Sequence, residues 1–416
     1  MWEILSASIP EENIVPPLNN IRIVDITRAM AGPYCTMMLG DFGADVIKVE
    51  RPGSGDESRG WGPPFVGEAY GPYPGTSAYF LSVNRNKRSF TVNLKAPEGQ
   101  EIIRRLVKVS DVFIENFRTG VLKKMGLGVE ELIAENPRLI YCSISGYGRT
   151  GPYSEHPGYD AIIQAEGGMM GISGPVEGPP SRVGIPIIDI TAGMFAASAI
   201  MAALVERGQS GEGQHIDVSL FDSQVALLAN VASNYLIGKM PPKRLGNAHP
   251  NIAPYELFQA QDKGFVVGAA NQRQWEHFCE AINQPQLKDD PRFLTNQDRV
   301  NNRQDLVYHL NETFSDRKAE EWLDLFRSAG LPCGPVNQLP EVFNHPQVDD
   351  RELILQVEDP AAGTIPLTGF PYKLSRTPAV IHHAPPRLGE HNLEILVDLL
   401  GYSPDQADTF QEQGVI

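Results

Sequence analysis

Gly146-Tyr147-Gly148-Arg149-Thr150-Gly151 has the GxGxxG spacing that lets a backbone approach a pyrophosphate, and it follows a strand-like run. A dinucleotide site also needs a helix to open there, so that its N-terminus meets the phosphates. Pro152 and Pro157 punctuate the continuation, which predicts a plain turn. No GxxxxGK[ST] loop, GxSxG elbow or HExxH helix occurs, so a P-loop enzyme is excluded and neither of the other two signatures is available. His382 and His383 are adjacent in an extended stretch and point apart, which suits packing or surface roles. Cys35, Cys142, Cys279 and Cys333 are widely spaced and form no CxxC pair, so neither a zinc site nor a disulfide framework is expected. One carboxylate stands apart. Asp189 interrupts the apolar stretch Ile185–Val205, and local sequence alone makes it a cap for a helix beginning near Ala192.

The elements that would position these residues alternate. Ile21–Ile26 and Asp45–Glu50 read as buried strands, with a helix over Ala31–Gly43 between them. That spacing implies a right-handed crossover in a parallel sheet. Ser89–Leu94, Val112–Glu115, Leu139–Ile144 and His215–Ser219 are further strand candidates. Glu98–Val109, Ala192–Val205 and Leu220–Tyr235 read as helices, the first opened by Pro97. This is an α/β pattern. After Tyr235 the grain changes: Tyr255–Phe258 and Phe265–Ala269 predict an antiparallel pair, with helices over Trp275–Ile282 and Arg303–Ala329, as in a smaller α+β domain. From about Gln356 the chain is proline-rich, extended over Arg376–Gly389, and ends in a helix over Asn392–Leu400.

At 416 residues the chain suits two domains, or one with a large insertion. Its net charge of −16 argues against a general nucleic-acid binder, though a local basic pocket can still hold an anion. Met1–Asn20 carries three Glu and no Lys or Arg, which argues against a leader peptide. The Ile185–Val205 stretch is broken by Asp189, Thr191, Gly193 and Ser198, so no membrane span is expected. Reduced thiols and this balance of residues suggest a cytoplasmic protein.

Several segments, in order, resemble the class III CoA-transferase family, which includes formyl-CoA transferase, carnitine CoA-transferase and α-methylacyl-CoA racemase. They are Val24-Asp25-Ile26-Thr27-Arg28-Ala29-Met30-Ala31-Gly32-Pro33, Gly40–Gly53, Asn84-Arg85-Asn86-Lys87-Arg88-Ser89, Val112–Phe117, Gly158-Tyr159-Asp160, Gly211-Glu212-Gly213-Gln214, Cys333-Gly334-Pro335-Val336 and Pro386–His391. Trp61–Gly67, Tyr79–Asn84 and Asn234–Gly238 are most similar to the succinyl-CoA–dicarboxylate, glutarate-type members.

The resemblance implies that CoA moves from an acyl-CoA donor, such as succinyl-CoA, to a dicarboxylate of the malate, citramalate, glutarate or itaconate type. Coenzyme A thioester is then a substrate, with no permanently bound cofactor and no metal. Asp189 matches the family's catalytic aspartate. A carboxylate suits the work because a mixed anhydride and an aspartyl-CoA thioester both keep the acyl group activated, so each step reverses. A helix N-terminus is expected to keep that carboxylate ionised. Family CoA-contact positions fall on Arg28, Ala29, Met30, Ala31, Arg51, Val92, Lys95, Asn116, Phe117, Lys124, Met125 and Tyr159. Arg51, Lys95 and Lys124 suit phosphates. Arg28 and Met30 replace a His and a Gln of formyl-CoA transferase, which points away from formate and oxalate and makes Arg28 a candidate clamp for a distal carboxylate. The family's mobile loop matches Leu245–Asn251, with His249 a candidate contact to the acyl oxygen.

The implied architecture is a Rossmann-like large CoA-binding domain with a parallel sheet over residues 1–225. A smaller α+β domain spans 226–345, and a linker and C-terminal segment returning to the large domain spans 346–416. The whole forms an interlocked homodimer of ring-shaped chains. Two rival readings remain: a racemase, weakened because Tyr159 stands where racemases carry a His needed to move a proton, and a non-catalytic acyl-CoA-binding protein.

Overall fold

The computed structural model describes residues 15–69, 72–360 and 362–416. Most of the acidic N-terminal stretch that argues against a leader, Met1–Ile14, lies outside the described residues. Among them the chain forms two compact units. The first runs to Gly167, resumes over Gly184–Leu227 and closes with Asp349–Ile416; the second comprises Gly168–Val183 and Leu228–Val348.

The first unit is built on six strands: β1 (Arg22–Asp25), β2 (Asp45–Glu50), β3 (Lys87–Thr91), β4 (Val112–Glu115), β5 (Ile140–Ser145) and β6 (His215–Ser219). Every neighbouring pair is parallel, in the order β3-β2-β1-β4-β5-β6. That is the strand order of doubly wound nucleotide-binding sheets, which reverse direction between β1 and β4. Ligands of such sheets sit at the carboxyl ends of the strands flanking the reversal.

On one face α1 (Ala31–Asp41) packs along the long α4 (Ile187–Ser210), so closely that a Cβ added at Gly193 would stand 2.6 Å from the Ala31 carbonyl oxygen. On the other face α2 (Pro97–Lys108) lays Ile102, Ile103, Leu106 and Val107 on Val24, Ile47, Phe90 and Phe113 of the sheet. Ile395, Leu396 and Tyr402 from the returning C-terminal segment join the same core. Between β5 and β6 lie a loop, the short α3 (Asp160–Glu166) and α4; β6 leads directly into α5 (Leu220–Leu227).

The GxGxxG stretch forms the expected turn, and no helix opens until Asp160. Several elements differ from expectation, among them the helix expected over Arg303–Ala329, which is two, Arg303–Phe314 and Ala319–Ser328, and a closing helix over Pro404–Glu412, beyond the expected Asn392–Leu400. The helix over Leu220–Tyr235 is two helices, α5 and α6 (Ala229–Gly238), broken at Ala229 with φ 38°. The proline-rich C-terminal stretch contains an antiparallel hairpin, Ile354–Asp359 with Gly363–Thr368, because Pro366 sits where β-residues can still alternate inward Ile365 and Leu367. Finally, α4 starts at Ile187 rather than near Ala192. By length and composition alone it is apolar enough to cross a membrane, and less than half of its most apolar stretch is buried.

In the second unit, β7 (Tyr255–Gln259), β8 (Gly264–Gly268) and β9 (Cys333–Pro335) form an antiparallel sheet in the order β9-β8-β7. The helices α7 (Gln272–Ala281), α8 (Arg303–Phe314) and α9 (Ala319–Ser328) bury an aromatic cluster with it: Phe258, Phe265, Trp275, Phe278, Phe314, Trp322 and Phe326.

Candidate active site

The loops after β1 and β4 meet where the sheet reverses. Asn116, just past β4, accepts from the Arg28 N–H at 3.1 Å and donates to the Arg28 carbonyl at 2.8 Å. Two cavities flank this junction. The larger, about 680 Å³, is lined by Arg51, Val92, Lys95 and Met125. The smaller, about 170 Å³, is lined by Ala29, Met30, Ala31, Asn116, Tyr159 and Asp189. Arg28, Glu57 and Phe117 line both, so the two form one groove. Arg28 pairs with Glu57 at 2.8 Å and lies 5.3 Å from the centre of the Phe117 ring. Arg51 and Lys95 are exposed and have no acidic partner among the described residues.

Asp189 occupies the first turn of α4, whose N-cap is Pro186. The cap function expected of it is performed by another residue. Asp160, at the start of α3, accepts from the Ile188 N–H at 2.8 Å and more weakly from the Asp189 N–H at 3.4 Å. Its second oxygen accepts from Gln164 at 2.6 Å. This distant carboxylate lets α4 begin five residues earlier than the alanine-rich run suggests. It also leaves the Asp189 carboxylate without a hydrogen-bond partner among the described residues, open to the smaller cavity.

The helix N-terminus does not dominate the ionisation of Asp189. Burial, together with the neighbouring Asp160 charge, raises its pKa from 3.8 to about 7. A helix dipole favours a first-turn carboxylate by only about 0.3–1 kcal/mol, which loss of solvation and a second carboxylate outweigh.

The structure gathers Arg28, Ala29, Met30, Ala31, Arg51, Val92, Lys95, Asn116, Phe117, Met125, Tyr159 and Asp189 along the groove. Lys124 is exposed at the end of the helical turn Val121–Lys124 and lines neither cavity. His249 belongs to the second unit, where its ring stacks on Tyr255 at 5.4 Å and its Nδ1 accepts from the Asn251 N–H at 3.1 Å.

Residues outside the expected set also contribute. Tyr79 packs with Met30 and Ile190, and its ring meets Trp61 edge-on at 5.0 Å. Burial and then the charges of Asp189, Asp160 and Asp56 push its pKa up to about 12, so its hydroxyl stays a donor. Arg118 lines the smaller cavity, exposed and without an acidic partner among the described residues. Both lie inside or beside stretches that carry the resemblance, Tyr79-Phe80-Leu81 and Glu115-Asn116-Phe117, and that adjacency is the signal that marks them. No group of three His, Cys, Asp or Glu side chains among the described residues is placed to hold a metal ion.

A family model described as CoA-transferase family III matches residues 18–392. The chain is 44% identical over 404 residues to a human succinyl-CoA:glutarate CoA-transferase, covering 97% of this chain and 91% of that protein. It is 43% identical to a succinate–glutarate CoA-transferase of Agrobacterium fabrum, covering 93% and 96%. The crystal structure of a CAIB/BAIF family protein from Brucella suis superposes with a TM-score of 0.81 at 41% identity, covering 92% of this chain and 99% of that one.

Proposed function

The chain belongs to CoA-transferase family III, and from that premise we propose that it carries CoA from succinyl-CoA to a dicarboxylate, with Asp189 holding the acyl group in transit. One observation carries the reading. A carboxylate without a hydrogen-bond partner among the described residues stands at one end of a groove whose other end presents Arg51 and Lys95, two cations with no acidic partner among those residues. CoA is long, anionic at its nucleotide end and thiol-bearing at the other, and it fits that polarity.

In this reading an Asp189 oxygen attacks the thioester carbon of succinyl-CoA. The carbon–sulfur bond breaks, leaving a mixed anhydride and CoA thiolate. The thiolate then attacks the Asp189 carbonyl carbon, releasing succinate and forming an aspartyl-CoA thioester. An acceptor carboxylate repeats the sequence in reverse, and Asp189 is regenerated as the new acyl-CoA leaves. A carboxyl that releases its proton near pH 7 is closer in basicity to a thiolate, whose parent thiol titrates near ~8.5, than an ordinary carboxylate is. Exchange between the two at an acyl carbon is correspondingly less uphill. The first turn of α1 has no side-chain cap, so its N–H groups are available to the oxyanion that forms at each attack. Arg28, exposed at the junction of the cavities, is the clamp for the far carboxylate of the acceptor, exchanging Glu57 for it.

The working assembly in this reading is the interlocked homodimer, acting in the cytoplasm. The apolar face that α4 leaves exposed, with Met194, Phe195 and Val205, supports cover by a second copy rather than by lipid. Purified protein with succinyl-CoA and a panel of glutarate, malate, citramalate, itaconate and mesaconate, read by mass, tests the transfer. Glutaryl-CoA or another dicarboxylyl-CoA is expected, with none from Asp189→Ala. Full transfer by that variant would end the mechanism, and proton exchange at the α-carbon in deuterated water without CoA transfer would favour a racemase.

A further inference from the structure

The turn that joins β1 to α1 lines both cavities of the groove, and Thr27, Arg28 and Ala29 in it are each tied down from outside it. Asp25 Oδ1 accepts from the Thr27 N–H at 2.9 Å, and Asn116 brackets Arg28. Asp56 Oδ1 accepts from the Ala29 N–H at 3.2 Å. Ala29 has φ 68°, a left-handed conformation that costs a residue with a Cβ roughly 1–2 kcal/mol. It persists only where surrounding contacts impose it.

The contact that reaches Ala29 comes from an ion pair sealed in the protein. Lys48 Nζ and Asp56 Oδ2 are 2.9 Å apart, with side chains 0% and 1% exposed. Lys48 projects from the middle of β2 and also donates to the Thr27 carbonyl at 3.1 Å. Asp56 is fixed in turn by the Ser58 N–H and hydroxyl at 2.9 and 2.8 Å. A sealed ion pair is a poor source of stability, since apolar residues of similar volume often serve as well. Its two hydrogen bonds to the main chain of one turn give it a different use.

Resting on the reading of Asp189 as nucleophile, we propose that the Lys48–Asp56 pair is a positioning device. It holds Ala29 left-handed and so fixes where the first N–H groups of α1 stand relative to the reacting carbonyl at Asp189. Lys48 lines neither cavity, and Asp56, though it lies in the wall of the larger one, has a side chain only 1% exposed and turned to Lys48 and the turn, so both act through the turn.

Two double variants separate positioning from stability. Lys48→Met/Asp56→Asn removes the ion pair and keeps an amide oxygen for the Ala29 N–H. Lys48→Met/Asp56→Leu removes both. The readout is the single-turnover rate at which succinyl-CoA loads Asp189, followed by quenched mass spectrometry and corrected for folded fraction by circular dichroism. The Asn variant is expected to stay close to the parent rate. The Leu variant is expected to load about 100-fold more slowly, the scale of a 1 Å misplacement, with succinyl-CoA affinity unchanged. Adding Ala29→Gly to the Leu variant, which makes positive φ easy, is expected to recover much of the loss.

Should the Leu variant not fold, Ala29→Val alone disfavours the turn; because Ala29 also lines the groove, its loading is read at saturating succinyl-CoA, where the same slow loading is expected. Equal loading by the Asn and Leu variants, or parent-rate loading by Ala29→Val, overturns the positioning role. Absence of any Asp189 adduct in the parent protein instead overturns the nucleophile reading beneath it.

Discussion

The two units of the chain bury different chemistry. The second is sealed by rings: Phe314 alone meets Phe258, Phe265 and Trp322 with centroids 5.1–5.2 Å apart. The first, behind the β1–α1 turn, buries charges instead. Arg59 forks onto Glu50 at 2.7 Å on both arms, Lys87 reaches Asp25 at 3.2 Å, and Arg85 reaches Asp41 at 2.7 Å. An aromatic cluster needs only volume and shape to match, and it tolerates drift of a few tenths of an ångström in any one ring. A buried carboxylate needs each lone pair matched by a donor at a set distance, so it specifies the loops around it more tightly. The charged region lies beside the groove, where loop position decides chemistry, and the aromatic region does not contain Asp189.

That contrast can be broken in stages. The largest effect is expected at Phe314, fully buried among rings. Phe314→Ala should lower unfolding free energy by about 3–5 kcal/mol, measured by urea titration, while leaving Asp189 loading per folded molecule in place. A large loading defect with intact folding would show that the aromatic unit governs the chemistry after all.

Asp189 itself should destabilise the fold. Its carboxyl holds a proton more tightly folded than unfolded, since its pKa rises from 3.8 to about 7. The penalty is therefore absent below pH ~4, grows between pH ~4 and ~7, and is complete above, at about 4 kcal/mol. Asp189→Asn is expected to raise the melting temperature at pH 8 and to change it little at pH 4. A gain that is larger at low pH would reverse the assignment. Loading should rise with pH through about 7 in the parent protein, and Asp160→Asn, which keeps the cap and drops the charge, should move that midpoint down.

Arg51→Ala and Lys95→Ala should each weaken succinyl-CoA binding by about 10- to 100-fold, the worth of a hydrogen bond to a charged group. Titration calorimetry at two salt concentrations checks this, the loss being smaller at high salt. The smallest effect is expected at the exposed Arg327–Glu320 pair of the second unit, 2.7 Å apart. Glu320→Gln should change stability by less than about 1 kcal/mol.

How far this layout is legible in the sequence depends on whether its causes are local. Strands β1, β2, β4 and β6 show as runs rich in β-branched residues, and α2 as Pro97 followed by helically spaced Ile102, Ile103, Leu106 and Val107. The start of α4 does not show. Ile187-Ile188-Asp189-Ile190 reads as extended, and the cap that makes it helical, Asp160, lies 28 residues before the N–H it accepts. The same distance hides the pKa of Asp189, because the charge that raises it arrives only with the fold. The motif Gly158-Tyr159-Asp160 is visible, yet pattern alone directs attention to Tyr159. Lys48 and Asp56 look like ordinary polar residues, since burial of a charge depends on a partner that spacing does not reveal. The left-handed Ala29 carries no mark either, there being no glycine to announce it.

The most direct test of the central claim is intact-protein mass spectrometry of the parent chain quenched within one turnover of succinyl-CoA, with hydroxylamine added to trap an activated side chain. The account predicts one adduct per chain, mapped to Asp189 by peptide sequencing, forming faster at pH 8 than at pH 6 and absent in Asp189→Asn. Steady CoA transfer with Asp189 never modified, or an adduct mapped to another carboxylate, would contradict it.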